Sequence, residues 1–195
     1  MISQKLLLLL AVFLSSGSLL ISVPIIGLSL KGDQLALATF AIMLNSMIGI
    51  FDIVRPAVTR ALASEFDELS ASWLFAMAGY AGFLLSAFGY IGLSIASFSF
   101  VDQIDAVLFS LCIFIFCVVS SFWGAMDARG FVGTAQLYRA TATCIFVFTL
   151  VLQGHYQMAS SPSMALFVSL IILATLMVSH ANLKCALSRT TTTSI

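Results

Sequence analysis

The stretch Leu6–Leu30, LLLLLAVFLSSGSLLISVPIIGLSL, holds no charged residue and is bracketed by Lys5 and Lys31. A helix rises about 1.5 Å per residue, so this run alone exceeds the roughly 30 Å hydrocarbon core of a bilayer. Its first half imitates a signal peptide, with Lys5, the apolar Leu6–Leu14 and then Ser15-Ser16-Gly17-Ser18. A cleaved leader should stop there, whereas the apolar character continues through Leu19–Leu30 with no A-x-A site. We read it as an uncleaved membrane span.

Comparable uncharged runs follow at Gln34–Phe51, Ser72–Phe100, Ala106–Met126, Ala140–Leu152 and Ser163–Leu183. The expectation is an all-α integral membrane protein with six transmembrane helices, at about 6–30, 34–54, 72–100, 106–126, 136–153 and 163–183. They would form a single bundle over residues 1–189, with a polar tail at 190–195. The composition agrees, at 61% hydrophobic and 8% charged residues against about 25% charged in soluble domains. Long unbroken runs are not the short alternating segments of a β-barrel. The fifth run is short for a crossing; adding Ala135–Arg139 and letting the guanidinium reach for the interface completes it, and a re-entrant segment is the alternative.

Charge orients the spans. Were each run to cross once, one side would carry Lys5, Arg55, Arg60, Arg129, Arg139, Lys184 and Arg189, and the other only Lys31. Short loops rich in Lys and Arg stay in the cytoplasm, which predicts both termini inside. The loop with Asp102 and Asp105 would lie outside. With zero net charge there is no footprint for nucleic acid.

Small residues and proline shape two spans. Pro24 in the first span marks either a hinge near a transport path or a tolerated kink. The third span has small-xxx-small pairs at Ala78/Gly82 and Gly92/Ala96, which let helices approach closely in lipid. Gly130 falls in a loop, where a larger side chain has room.

Catalytic chemistry finds little to work with. No paired carboxylates share an apolar span, His155 and His180 are far apart, and no phosphate loop follows a strand. Asp127-Ala128-Arg129-Gly130 begins like a lipid phosphotransferase motif but lacks the further aspartates of a two-metal site. Cys112, Cys117, Cys144 and Cys185 form no C-x-x-C pair and read as packing residues. The reading is a non-enzyme without metal or cofactor. What remains is a charged segment at the end of the second span, where Asp52 and Arg55 stand three apart and Pro56 marks a bend or restart. Arg55, Arg60 and Arg139 could receive an anionic headgroup, since a guanidinium fork binds two phosphate oxygens at once. The plainer reading makes them topological anchors.

The segment Phe40–Glu68, FAIMLNSMIGIFDIVRPAVTRALASEFDE, after an N-in helix and before a long glycine-rich span, resembles the N-terminal part of Wzx-type O-antigen and polysaccharide flippases. These belong to the MOP superfamily, with the MATE multidrug exporters. Asp52, Arg60, Ala61 and Glu65 match the family's order of acidic, basic and acidic residues, while Val54 stands where many relatives have glycine. The resemblance implies one six-helix lobe of a MOP-type transporter in a bacterial inner membrane. Its cargo would be undecaprenyl-diphosphate-linked oligosaccharide for O-antigen or polysaccharide synthesis. Its partners would be that lipid-linked sugar, membrane lipids, and a second six-helix lobe or a second copy. A single lobe fits a truncated product, a split gene or a half-transporter. The competing expectations are a MATE-like cation or drug exporter lobe, which should hold an acidic residue within a span, and a structural or accessory membrane protein.

Overall fold

The computed structural model describes residues 3–47, 54–63, 68–96, 100–156 and 161–192. Seven α-helices appear among them: α1 (Gln4–Ser29), α2 (Asp33–Met47), α3 (Val54–Ala63), α4 (Glu68–Ala96), α5 (Gln103–Ala128), α6 (Val132–Tyr156) and α7 (Pro162–Thr192). No strand occurs among the described residues. Among the described residues five stretches are long and apolar enough to cross a membrane: Gln4–Ser29, Phe75–Ala96, Gln103–Ala128, Val132–Tyr156 and Pro162–His180. This is an all-helical, membrane-embedded protein.

Of the expected second span, helix α2 covers Asp33–Met47. Residues 48–53, Asp52 included, lie outside the described residues, and Val54 already opens α3. Pro56 sits in the first turn of α3, where backbone N–H groups have no helical acceptor to lose. Helix α6 runs unbroken for 25 residues. Helix α1 likewise continues through Pro24, so that proline does not break it.

Helix α5 is central. Phe109, Phe116 and Trp123, two turns apart in succession, are fully buried along with Cys112 and Val119. Phe40 of α2 meets Phe109 edge-on at 4.9 Å between centroids. On α6 and α7, Phe146, Leu150, Leu166, Leu173 and Met177 complete the core.

Glycines set the closest approaches. A Cβ on Gly82 would lie 2.8 Å from the Cβ of Cys117, so α4 rests against α5 there. Gly92 faces open space, so of the two small-residue pairs on α4 only Ala78/Gly82 meets a neighbour closely. Gly124 lets the backbone of α3 settle on α5, with Arg55 O 2.7 Å from where its Cβ would be. The Thr59 hydroxyl then donates to the Gly124 carbonyl at 3.2 Å.

Helices α1 and α6 run parallel. Gly133 abuts Gln4 and Leu7 at their starts, and Gly154 abuts Ser29 at their finishes. The Thr134 amide donates to Gln4 Oε1 at 3.2 Å, so the Gln4 side chain caps the first turn of α6. One end of the bundle therefore gathers the starts of α1 and α6 with α3 and the finish of α5. The other gathers the finishes of α1 and α6 with the starts of α5 and α7. We call them the Arg55 end and the Asp105 end.

Candidate functional site

At the Arg55 end, α5 closes with a Schellman turn. The Phe131 amide donates to Met126 O at 2.9 Å, the Gly130 amide to Asp127 O at 3.0 Å, and Gly130 takes φ +79°. This turn fixes Asp127 one residue before the helix finishes and starts α6 close by. Arg55, placed by the α3–α5 contact at Gly124, donates from Nε to Asp127 Oδ2 at 2.6 Å. The two side chains are 21% and 10% exposed, so the pair is held largely away from water. The Arg55 guanidinium also lies over the Trp123 ring, 4.1 Å from its centroid.

Arg139 approaches the same indole from α6, at 5.3 Å. It stands two turns into the helix, about 10 Å from its start. The half-buried Arg139 places its guanidinium over the fully buried tryptophan. Cation–π contacts of this kind are worth up to about 2 kcal/mol when desolvated. The Trp123 Nε1 and the Ser120 hydroxyl, one turn apart on α5, are buried without a hydrogen-bond partner.

Arg139 also lines a cavity of about 300 Å³ among α1, α2 and α6. Helix α1 contributes Ser15 and Ser16, α2 contributes Asn45 and Ser46, and α6 adds Gln136 and Thr143. The cavity is half open, with Ser16 and Ser46 exposed at its rim, and hydroxyls, amides and one guanidinium so placed can hydrate or bind a polar, anionic group. Ser15-Ser16, read from sequence as part of a leader-like segment, belongs to this wall.

Of the residues singled out from sequence, Arg55 and Arg139 meet over Trp123, and only Arg139 lines the cavity. Arg60 is exposed on α3. Gly82 serves α4–α5 contact, and Pro24 stays within α1. Asp52 lies outside the described residues. Trp123, Asp127 and Asn45 went unnoticed as site residues. Asp127 had a signal, as an acid beside the last turn of a long apolar run.

Asp105 needs correction. Expected in an outer loop, it is the third residue of α5 and 4% exposed. Its Oδ1 accepts from the Ser161 hydroxyl and from the Ser163 hydroxyl, the latter at 2.5 Å. It sits where α5 and α7 both begin, so the positive ends of two helices face the carboxylate. Among the described residues no group of three His, Cys, Asp or Glu side chains could hold a metal ion.

Fold and site together define a class, a helical membrane protein with a half-open, arginine-bearing cavity among α1, α2 and α6. Compared with protein-family models, curated proteins and solved structures, the chain matches none of them.

Proposed function

We propose that the chain is one lobe of a membrane flippase that moves undecaprenyl-diphosphate-linked oligosaccharide across a bacterial inner membrane for O-antigen or polysaccharide synthesis. The observation that carries this reading is the cavity with Arg139 in its wall, lined also by neutral hydroxyl and amide groups. A guanidinium suits phosphate, and hydroxyl and amide groups suit sugar. Basic residues at the Arg55 end favour placing that end in the cytoplasm. The cargo would be received there, and rocking against a second six-helix lobe or a second copy would expose it to the other side. Binding, orientation and release do this work, so no enzymatic step is proposed.

The test is complementation of a flippase-null strain supplied with this chain and a partner lobe. Restored surface polysaccharide supports the reading, and Arg139→Ala should abolish it at unchanged membrane abundance. Full complementation by Arg139→Ala would overturn it. A cation-exporter lobe is the second reading, because Asp105 places a buried carboxylate within α5. Two serine hydroxyls and two helix starts already compensate that carboxylate, which leaves less need for a bound cation.

A further inference from the structure

This inference deepens the reading above and rests on it in one respect, that the cavity among α1, α2 and α6 is a binding site. Two of its hydroxyls are engaged within their own helices: Ser15 donates to Val12 O at 3.2 Å and Ser46 to Ile42 O at 2.8 Å. Three other lining side chains differ. Asn45 on α2 and Gln136 and Thr143 on α6 form no side-chain hydrogen bond among the described residues. Thr143 is 6% exposed, and the open space beside it is the cavity that it lines. It stands about 16 Å along α6, roughly midway through a bilayer core. An amide or hydroxyl left unmatched at that depth is costly, so it calls for a polar partner from outside the chain.

The chemistry of these groups narrows the partner. Each carboxamide offers two N–H donors and an acceptor oxygen, whichever way it is turned, and the hydroxyl both donates and accepts. An ionised phosphate diester only accepts, and would leave both amide oxygens unmatched. A sugar hydroxyl does both, and two on neighbouring carbons suit the paired donor and acceptor of one carboxamide. At about 300 Å³ the cavity is at the small end of ligand sites, with room for one ring and not for a chain of them. We propose that it binds a single neutral sugar ring through Asn45, Gln136 and Thr143, and that these three side chains, not the arginine, decide which sugars are accepted. Gln136 and Thr143, seven apart, share one face of α6 and Asn45 comes from α2, so the ring is held between two helices. No donor of Arg139 is needed for this; that guanidinium lies over Trp123.

The experiment uses the full chain in lipid nanodiscs and photoreactive probes that share a hexyl chain with a diazirine beside the head group. The heads are glucose, galactose and mannose, their fully O-methylated forms, which accept but cannot donate, and methyl phosphate, a singly charged acceptor. Mass spectrometry of the labelled peptides separates capture in the cavity from capture at the lipid-facing surface. At least one free sugar should label the cavity lining about fivefold or more above its methylated form. Thr143→Val should cut that labelling about fivefold or more and phosphate labelling by less than about twofold, and Thr143→Ser should restore it. Because no protein group loses a partner, Thr143→Val should unfold in detergent at the wild-type temperature; clearly earlier unfolding means that the hydroxyl serves the fold, and overturns the proposal. Equal labelling by every free sugar and its methylated form, or sugar labelling unchanged in Thr143→Val, also overturns it. Phosphate labelling that Arg139→Ala abolishes would then leave the cavity reading standing. Labelling of the lining by none of the probes overturns the cavity reading itself.

Discussion

Arg55 is held from two sides, in an ion pair with Asp127 and over the Trp123 ring. Removing either member of a pair so shielded leaves a charge with reduced compensation, at a cost of about 3 kcal/mol, whereas replacing both by apolar groups of similar size is close to neutral. We therefore expect Arg55→Met and Asp127→Leu each to lose about 3 kcal/mol in detergent unfolding titrations, and the double variant to recover most of it. Additive losses would show that the two side chains stabilise the fold independently. At the opposite end, Asp105→Ala leaves two serine hydroxyls without their acceptor, for a loss of about 2 kcal/mol. Asp105→Asn should cost less, because the amide oxygen still accepts. Equal losses for the two variants would mean that charge, not acceptance, matters there. The sequence made the arginines visible, because a cation beside an apolar run is conspicuous. It hid Trp123, because an aromatic within an apolar span carries no mark of which way it faces, and it showed Asp127 without its partner. The acid that meets Arg55 is 72 residues distant.

Among the helices, α4 and α5 offer the sharpest comparison. Gly82→Leu would drive a side chain into Cys117 and the Phe114 carbonyl, while Gly92→Leu on the same helix meets nothing within 4 Å. Overpacking costs about 1–3 kcal/mol, so the first variant should yield clearly less folded protein in detergent than the second. Equal yields would mean that α4 does not pack where the glycine indicates. Gly130 is the wrong reference, although a loop gives space, because its φ of +79° strains any larger residue. The small-xxx-small pattern was legible, but which of two pairs meets a neighbour depends on helix rotation, and that is set by α5. The length of α6 was harder to read, because Arg139 cut its apolar run short; the residue is accommodated inside the bundle.

At the scale of the whole molecule, α5 must present its two ends to opposite sides of the membrane. In a chain cleared of native cysteines, a cysteine at Asp102 should react with an impermeant maleimide from outside, and one at Arg129 only after the membrane is opened. Labelling of both from the same side would sink the spanning arrangement. Apolar character, helical class and the grouping of cations along the chain could all be read from sequence, since they follow from composition and spacing. The parallel pairing of α1 with α6 could not, because nothing local in either helix names so distant a partner.

That pairing has a consequence for how the chain is made. Helix α1 leaves the ribosome well before the helix it lies along, from Gln4 against Gly133 to Ser29 against Gly154, which is synthesised more than a hundred residues later. At about 5–20 residues per second, the wait lasts on the order of 10 s. Throughout it α1 must persist in lipid without its principal neighbour, and of the five candidate spans it has the highest mean hydropathy, 2.5. Helix α6, at 1.5 and carrying Arg139, would fare poorly alone, and it enters a membrane where α1 and α5 already wait to receive it. Within this pair, order of birth and strength of insertion are matched: the span able to stand by itself comes early, and the one that needs company comes late.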